Sequence, residues 1–139
     1  MNVKLHEKGC MPTRAHATDA GYDCIAAESV WLEPLCPTLV DLGFSIELWD
    51  GHEAQIRGRS GLAVKGIMAH VGTIDSAYRG PVKALLTFIA LPGTTPVIIT
   101  KGERVAQMII AKVETPLLHE AHILSSSDRG ANGFGSTGV

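Results

Sequence analysis

Phe44-Ser-Ile-Glu-Leu-Trp49 alternates apolar and polar side chains, with turn signals on both sides: Asp41-Leu-Gly43 before it and Asp50-Gly51 after it. A two-residue period places Phe44, Ile46 and Leu48 on one face and Ser45, Glu47 and Trp49 on the other, the pattern of a half-buried β-strand. The same alternation of short apolar runs and turns extends in both directions. Val30–Leu32, Pro37–Val40, Val82–Ala90, Pro96–Thr100 and Val105–Val113 read as further strands. Between them fall Asp19-Ala-Gly21, Glu33-Pro34, Arg79-Gly-Pro81, Leu91-Pro-Gly93 and Lys101-Gly102. Roughly eight or more strands at this spacing indicate an all-β sandwich, jelly roll or barrel. One segment reads as a short helix, Ser60–Lys65, with Ser60 as its N-cap and Gly66 as its stop.

The chain has 139 residues, the size of one domain. Its 45% hydrophobic and 19% charged residues mark a chain that folds on a core, not a disordered one. A formal net charge of −2 argues against nucleic acid as a partner, because wrapping a polyanion calls for a basic surface. A small anionic ligand is still compatible, since a few local arginines can hold one. Three cysteines, Cys10, Cys24 and Cys36, form no CxxC pair and suggest neither a zinc site nor a disulfide framework. The odd count suits a reducing cytoplasm. No signal-peptide pattern opens the sequence, and no apolar run approaches the ~20 residues that span a membrane.

Four segments could carry chemistry. Arg57-Gly-Arg59-Ser60-Gly61-Leu62 sets an arginine at a helix start, where free N–H groups favour an anion; a capped surface helix gives the same pattern. Gly72-Thr73-Ile74-Asp75-Ser-Ala-Tyr78-Arg79-Gly80 reads as a β-hairpin tip that offers Asp75 as a general base and Tyr78 as a stacking ring. A turn stabilised by an Asx-type bond is its alternative. Asp19-Ala-Gly21-Tyr22-Asp23 flanks a turn with two acids, suited either to a hard cation or to turn capping. In Lys101-Gly-Glu-Arg104-Val-Ala-Gln107, Gln107 interrupts an apolar strand and therefore needs a specific partner.

From Ser125 the composition changes to SSSDRGANGFGSTGV, with four glycines in the last ten residues. Composition alone describes a flexible end. A lone Arg129, a lone Phe134 and the hydroxyls of Ser136 and Thr137 instead fit a lid that closes on a phosphorylated ligand.

In this order the segments resemble the five motifs of the trimeric dUTP pyrophosphatase family: DAGYDCIA (19–26), GRSGLAVKG (58–66), GTIDSAYRG (72–80), KGERVAQMI (101–109) and RGANGFGSTG (129–138). The resemblance implies a distorted jelly-roll, β-clip type subunit with one short helix after Ser60, a β-domain over 1–124 and a C-terminal arm over 125–139. It also implies a homotrimer with sites at subunit interfaces. The implied activity is hydrolysis of dUTP to dUMP and pyrophosphate by Mg2+-assisted water attack on the α-phosphate, which limits uracil in DNA and supplies dUMP.

By the same resemblance, Asp75 activates the water, and Tyr78 packs on the deoxyribose and excludes a 2′-hydroxyl. The backbone of Gly72, Thr73, Ile74, Asp75 and Lys83 reads uracil, with Ala69 at a uracil-side position. Arg59, Ser60 and Gly61 hold the α- and β-phosphates, Gln107 lies near the α-phosphate, and Asp23 holds the Mg2+ hydration shell. Arg129, Phe134, Gly135, Ser136 and Thr137 close over the ligand. Cys24, Gly58, Ala69, Ala77, Pro81 and Ala90 depart from the usual family residues. Pro81 predicts an edge strand or an irregular start to the strand after it. Two alternatives stand beside this reading: a dCTP deaminase-like enzyme of the same fold, and a dUTPase-like regulator that binds a protein partner.

Overall fold

The computed structural model describes residues 1–133. These form eleven strands and one four-residue helix: β1 (Asn2–Leu5), β2 (Tyr22–Ile25), β3 (Val30–Leu32), β4 (Thr38–Asp41), β5 (Phe44–Glu47), β6 (His52–Arg57), α1 (Ser60–Ala63), β7 (Ile67–Ala69), β8 (Gly72–Ile74), β9 (Lys83–Phe88), β10 (Val97–Ile99) and β11 (Arg104–Lys112). A four-stranded sheet runs β2-β11-β6-β8 and a three-stranded sheet β4-β9-β7, with two-stranded ladders β1-β5 and β10-β3. Every ladder is antiparallel. The architecture is the all-β jelly roll that the sequence implies. Among the described residues, no helix is long and apolar enough to cross a membrane.

The alternation that opens the sequence reading is realised on β5. Phe44, Ile46 and Leu48 are buried, while Glu47 and Trp49 face solvent. Ser45 is the exception: it is buried, and its hydroxyl meets the His6 ring at 3.0 Å, so a satisfied hydrogen bond replaces solvent. Phe44 joins Leu32, Val40, Leu42, Ile56, Leu86 and Ile99 in one core cluster. The helix differs at its start. Arg59 is the N-cap, in extended conformation, and no side chain caps the first turn; Ser60 is the first helical residue. Gly66 ends the segment at φ +78°, a conformation that costs glycine little.

Cys24 lies in the core and burial pushes its thiol up to about 12, whereas Cys10 and Cys36 are exposed. The expected result at pH 8 is rapid iodoacetamide labelling of Cys10 and Cys36, with Cys24 labelled only after denaturation. Mass spectrometry of the labelled peptides reads this directly.

Candidate active site

The first polar cluster forms on the outer face of the four-stranded sheet. Gln107 on β11 pairs with Asp23 on β2 on one side and with Arg57 on β6 on the other. Beyond Arg57 the chain turns into α1 and delivers Arg59 back over this face. The Arg59 Nε lies 3.1 Å from Asp23 Oδ1, and its Nη1 donates to the Arg104 carbonyl at 3.1 Å. Arg104 Nη1 donates to the other Asp23 oxygen at 3.2 Å. Gln107 finds the partner its position demands, donating from Nε2 to the Gly58 carbonyl at 3.0 Å. This bond ties the loop before α1 to the sheet. Gly21 is glycine for a packing reason: a Cβ there would meet the Gln107 Oε1 at 2.7 Å.

The two acids of the first motif therefore part ways. Asp19 caps a turn, accepting from the His16 N–H at 2.8 Å, while Asp23 is bound by two guanidinium groups. Arg59, Ser60, Gly58 and Ala69 line a shallow cleft of about 220 Å³ beside this cluster. Gly61 opens to space, since a Cβ there would meet nothing within 4 Å.

The second cluster surrounds Asp75. Gly72, Thr73, Ile74, Asp75, Tyr78, Pro81 and Lys83 line an open cleft of about 470 Å³, floored by the buried Ile56 and Val82. The segment is not a paired hairpin, as the sequence suggests. β8 pairs with β6, whereas β9 pairs with β4 and β7. The returning chain is captured elsewhere: Val82 N–H donates to the Phe44 carbonyl, and Leu42 N–H to the Val82 carbonyl. The two segments therefore diverge into different sheets, and the cleft opens between them. β8 is an edge strand, so its outer backbone groups lack ladder partners among the described residues.

The turn itself is braced. Tyr78 N–H donates to the Asp75 carbonyl at 3.0 Å, and the Tyr78 hydroxyl donates to the Pro81 carbonyl at 3.1 Å. A Cβ at Gly80 would collide with the Tyr78 ring at 2.3–2.9 Å, so glycine lets the ring lie over its own turn. Pro81 stays outside the ladder and β9 begins at Lys83, an irregular start as proline requires; β9 is not an edge strand, because β4 and β7 pair with it on both sides. Arg79 donates to the Ser76 and Tyr78 carbonyls and reaches Glu47 at 3.4 Å. The Asn2 amide and the Arg79 guanidinium hold the Glu47 carboxyl below its ordinary range. Asp75 has no side-chain hydrogen bond or ion pair among the described residues, so the Asx-type turn is not formed.

The two clusters share no lining residue. Ala69 lies with Arg59 and not with Asp75. Gln107, Asp23, Arg59 and Ser60 belong to the first cluster; Gly72–Asp75, Tyr78 and Lys83 belong to the second. Arg129 is in neither. Its Nε donates to the Asn132 carbonyl at 3.0 Å within a local turn. Phe134, Gly135, Ser136 and Thr137 lie outside the described residues. Arg104 is the residue that sequence reasoning passed over, and its only signal was membership of the fourth motif.

Among the described residues, no group of three or more His, Cys, Asp or Glu side chains converges. Asp23 is the one carboxylate in the arginine cluster. That donor set suits Mg2+ when ligand phosphates and water supply the remaining oxygens, the usual way this ion is held. It does not suit a cation bound by protein alone.

Comparison with known proteins covers nearly the whole chain. A family model described as dUTPase matches residues 7–138. The deoxyuridine 5'-triphosphate nucleotidohydrolase of Corynebacterium diphtheriae is 46% identical over 132 residues, 93% of this chain and 86% of that protein. The protein of the same name from Yarrowia lipolytica is 44% identical over 138 residues, 97% and 86% of the two chains. Among solved structures, a mutant dUTPase of Staphylococcus bacteriophage 80alpha with dUpNHpp superposes with a TM-score of 0.94 at 30% identity, covering 99% of this chain and 98% of that one. A mutant dUTPase of phage phi11 of S. aureus, described for its coordination of a structural Mg(II) ion, superposes at 0.83 with 27% identity, covering 90% and 98%.

Proposed function

This chain belongs to the dUTPase family, and on that premise we propose that it hydrolyses dUTP to dUMP and pyrophosphate at a site built from both clusters. The observation that carries the reading is the contrast between the two aspartates. Asp23 has both oxygens engaged by arginines and works as an anchor. Asp75 stands unpaired among the described residues on a braced turn, the condition a general base needs if it is to hold and deprotonate a water.

The roles follow from position. Edge strand β8 offers backbone N–H and C=O groups to the uracil edge, and the gap between diverging sheets bounds the space at the 5-position. Tyr78, fixed by Gly80 and the Pro81 carbonyl, presents its ring to the deoxyribose. Arg59, with the N–H groups of Ser60 and Gly61, meets the phosphates, and Gln107 holds the loop that carries them. Asp23 is the residue for the Mg2+ hydration shell. The ion, when bound with the triphosphate, offsets charge that builds on the phosphate oxygens.

The two clusters line different clefts on one protomer, which fits a homotrimer in which the Asp75 cleft of one copy faces the Arg59 cluster of another. The end of the chain supports the same assembly. β11 stops at Lys112, the Val113 N–H makes a last bond to the Gly51 carbonyl, and Leu117, Leu118, Ile123 and Leu124 are then more than four-fifths exposed. Four large apolar side chains left in water by their own chain fit burial on a neighbour. The arm from Ser125 then closes the site, with Arg129, Ser136 and Thr137 on the γ-phosphate and Phe134 over uracil. Removing residues 129–139 is expected to lower dUTP turnover about 100-fold or more with little change in melting temperature; an unchanged rate would remove the arm from the mechanism. Three free cysteines support a cytoplasmic setting.

The direct test is to incubate the protein separately with dUTP and dCTP and follow pyrophosphate and ammonia. Pyrophosphate from dUTP is the expected product. Ammonia from dCTP without pyrophosphate from dUTP would replace this reading with the deaminase. Binding of a regulatory protein partner is the other reading; the chain shows no obvious insert between the five motifs to favour it, so the enzyme is the reading adopted.

A further inference from the structure

We infer that Arg104 is a positioning residue that keeps Arg59 extended toward the phosphates. The inference rests on the proposed phosphate role of Arg59. It begins with an irregularity in the sheet. Along β11 the pairing with β2 runs Met108 to Tyr22, Gln107 to Asp23 and Ala106 to Cys24, then slips, so that Arg104 opposes Ile25 and Val105 has no partner. This is a β-bulge, which changes the phase of the side chains on its strand. Strict alternation from the buried Met108 would put Gln107 outward, Ala106 inward, Val105 outward and Arg104 inward. Instead, Val105 and Ala106 are both fully buried, and Arg104 emerges on the same face as Gln107 and Asp23. The bulge turns a residue that would enter the core into one that reaches Asp23.

What Arg104 does there follows from the donor geometry. A carboxylate and a guanidinium left alone prefer a two-pronged pairing, with both oxygens facing two N–H groups of one arginine. Arg104 occupies Asp23 Oδ2, and its own carbonyl accepts from Arg59 Nη1. Arg59 is thus limited to an approach by Nε on Oδ1. Its Nη2 has no acceptor among the described residues and remains for a ligand. Without the Arg104 side chain, Arg59 can swing onto both oxygens and turn its fork away from the cleft. Arg104 itself need not touch the substrate.

The Arg104 side chain is 57% exposed, so its replacement leaves the core intact. The test measures affinity for the imido analogue of dUTP by calorimetry in Mg2+, together with kcat and KM, in the full chain. Arg104→Gln is expected to weaken analogue binding about tenfold, to raise KM for dUTP by a similar factor and to keep the melting temperature. Arg104→Lys, which retains a cation for Asp23, is expected to recover most of that loss. In an Asp23→Asn background the Arg104→Gln effect is expected to fall below about twofold, because the two act through one contact. Wild-type affinity in Arg104→Gln, or losses that simply add in the double variant, would overturn the inference. A wild-type protein that neither binds the analogue nor hydrolyses dUTP would instead overturn the function proposed above, so the two failures are distinguishable.

Discussion

Asp75→Asn is expected to reduce kcat for dUTP by about 10²–10⁴-fold, the range that loss of a general base removes, while the imido analogue binds within a few-fold of wild type. The reason lies in the isolation of the side chain. No residue described here pairs with the Asp75 carboxylate, and the turn that carries it is held by backbone and by Tyr78, Arg79 and Pro81. An asparagine therefore fits without disturbing the cleft, and only the capacity to take a proton is lost. Rapid-quench kinetics alongside calorimetry separate the two quantities. Full activity in the asparagine variant would take Asp75 out of the chemistry; lost binding with intact single-turnover chemistry would make it a substrate ligand only.

Arg59→Lys is expected to lower kcat/KM for dUTP by about 10²–10³-fold. This substitution preserves charge, so the sequence alone suggests a small effect. The geometry argues otherwise. Arg59 contacts Asp23 through Nε and the Arg104 carbonyl through Nη1, and its Nη2 has no acceptor among the described residues. A lysine ammonium is one point charge on a flexible stem. It can sit on Asp23 or on a phosphate, but it cannot span both. Steady-state kinetics with a melting curve as control check the expectation, and near-wild-type kcat/KM would show that only net charge matters at this position.

Much of this was legible in the residues, for reasons that differ by element. β3 matches its sequence reading to the residue because Glu33-Pro34 closes a short apolar run. β5 is legible because alternation survives at five of the six positions from Phe44 to Trp49, Ser45 being the exception. β1, β2, β6 and β7 carry no strand pattern in the sequence, and β8 reads only as part of a hairpin tip. β6 (His52–Arg57) is largely polar, and it is held as a strand by ladders on both sides, with β11 and β8. That is tertiary pairing overriding local propensity. β8 and β9 were joined in one hairpin because they are adjacent in sequence and separated by a turn. Capture of Val82 by Leu42 and Phe44 is a long-range event that a local pattern cannot report.

The site was legible as motifs and not as geometry. Asp75 and Tyr78 line one cleft, Arg59 meets Asp23, and Gln107 ties down the loop before α1, whereas the roles the motifs imply for them stay proposals. Ser60 was assigned the cap that Arg59 forms, because serine is the commoner cap and nothing in the sequence reveals that Arg59 is drawn back onto Asp23. Arg104 carries no signal of its own beyond its motif, because the apolar run that reads as a strand starts only at Val105. The bulge that reverses its direction appears only when β11 is laid against β2. Gly61 shows the complementary case: its own chain gives no packing reason for a glycine, and the phosphate contact proposed for it would supply one.

The proposed site joins the Asp75 cleft of one copy to the Arg59 cluster of another, and complementation tests this most directly. Asp75→Asn and Arg59→Lys proteins, each nearly inactive, are unfolded together, refolded as a mixture and assayed with dUTP. Random mixing restores both intact halves at about a quarter of the sites if the halves come from different copies, so the account predicts recovery of about a quarter of wild-type activity. A mixture no more active than the two variants refolded apart would contradict it and place the whole site within one chain.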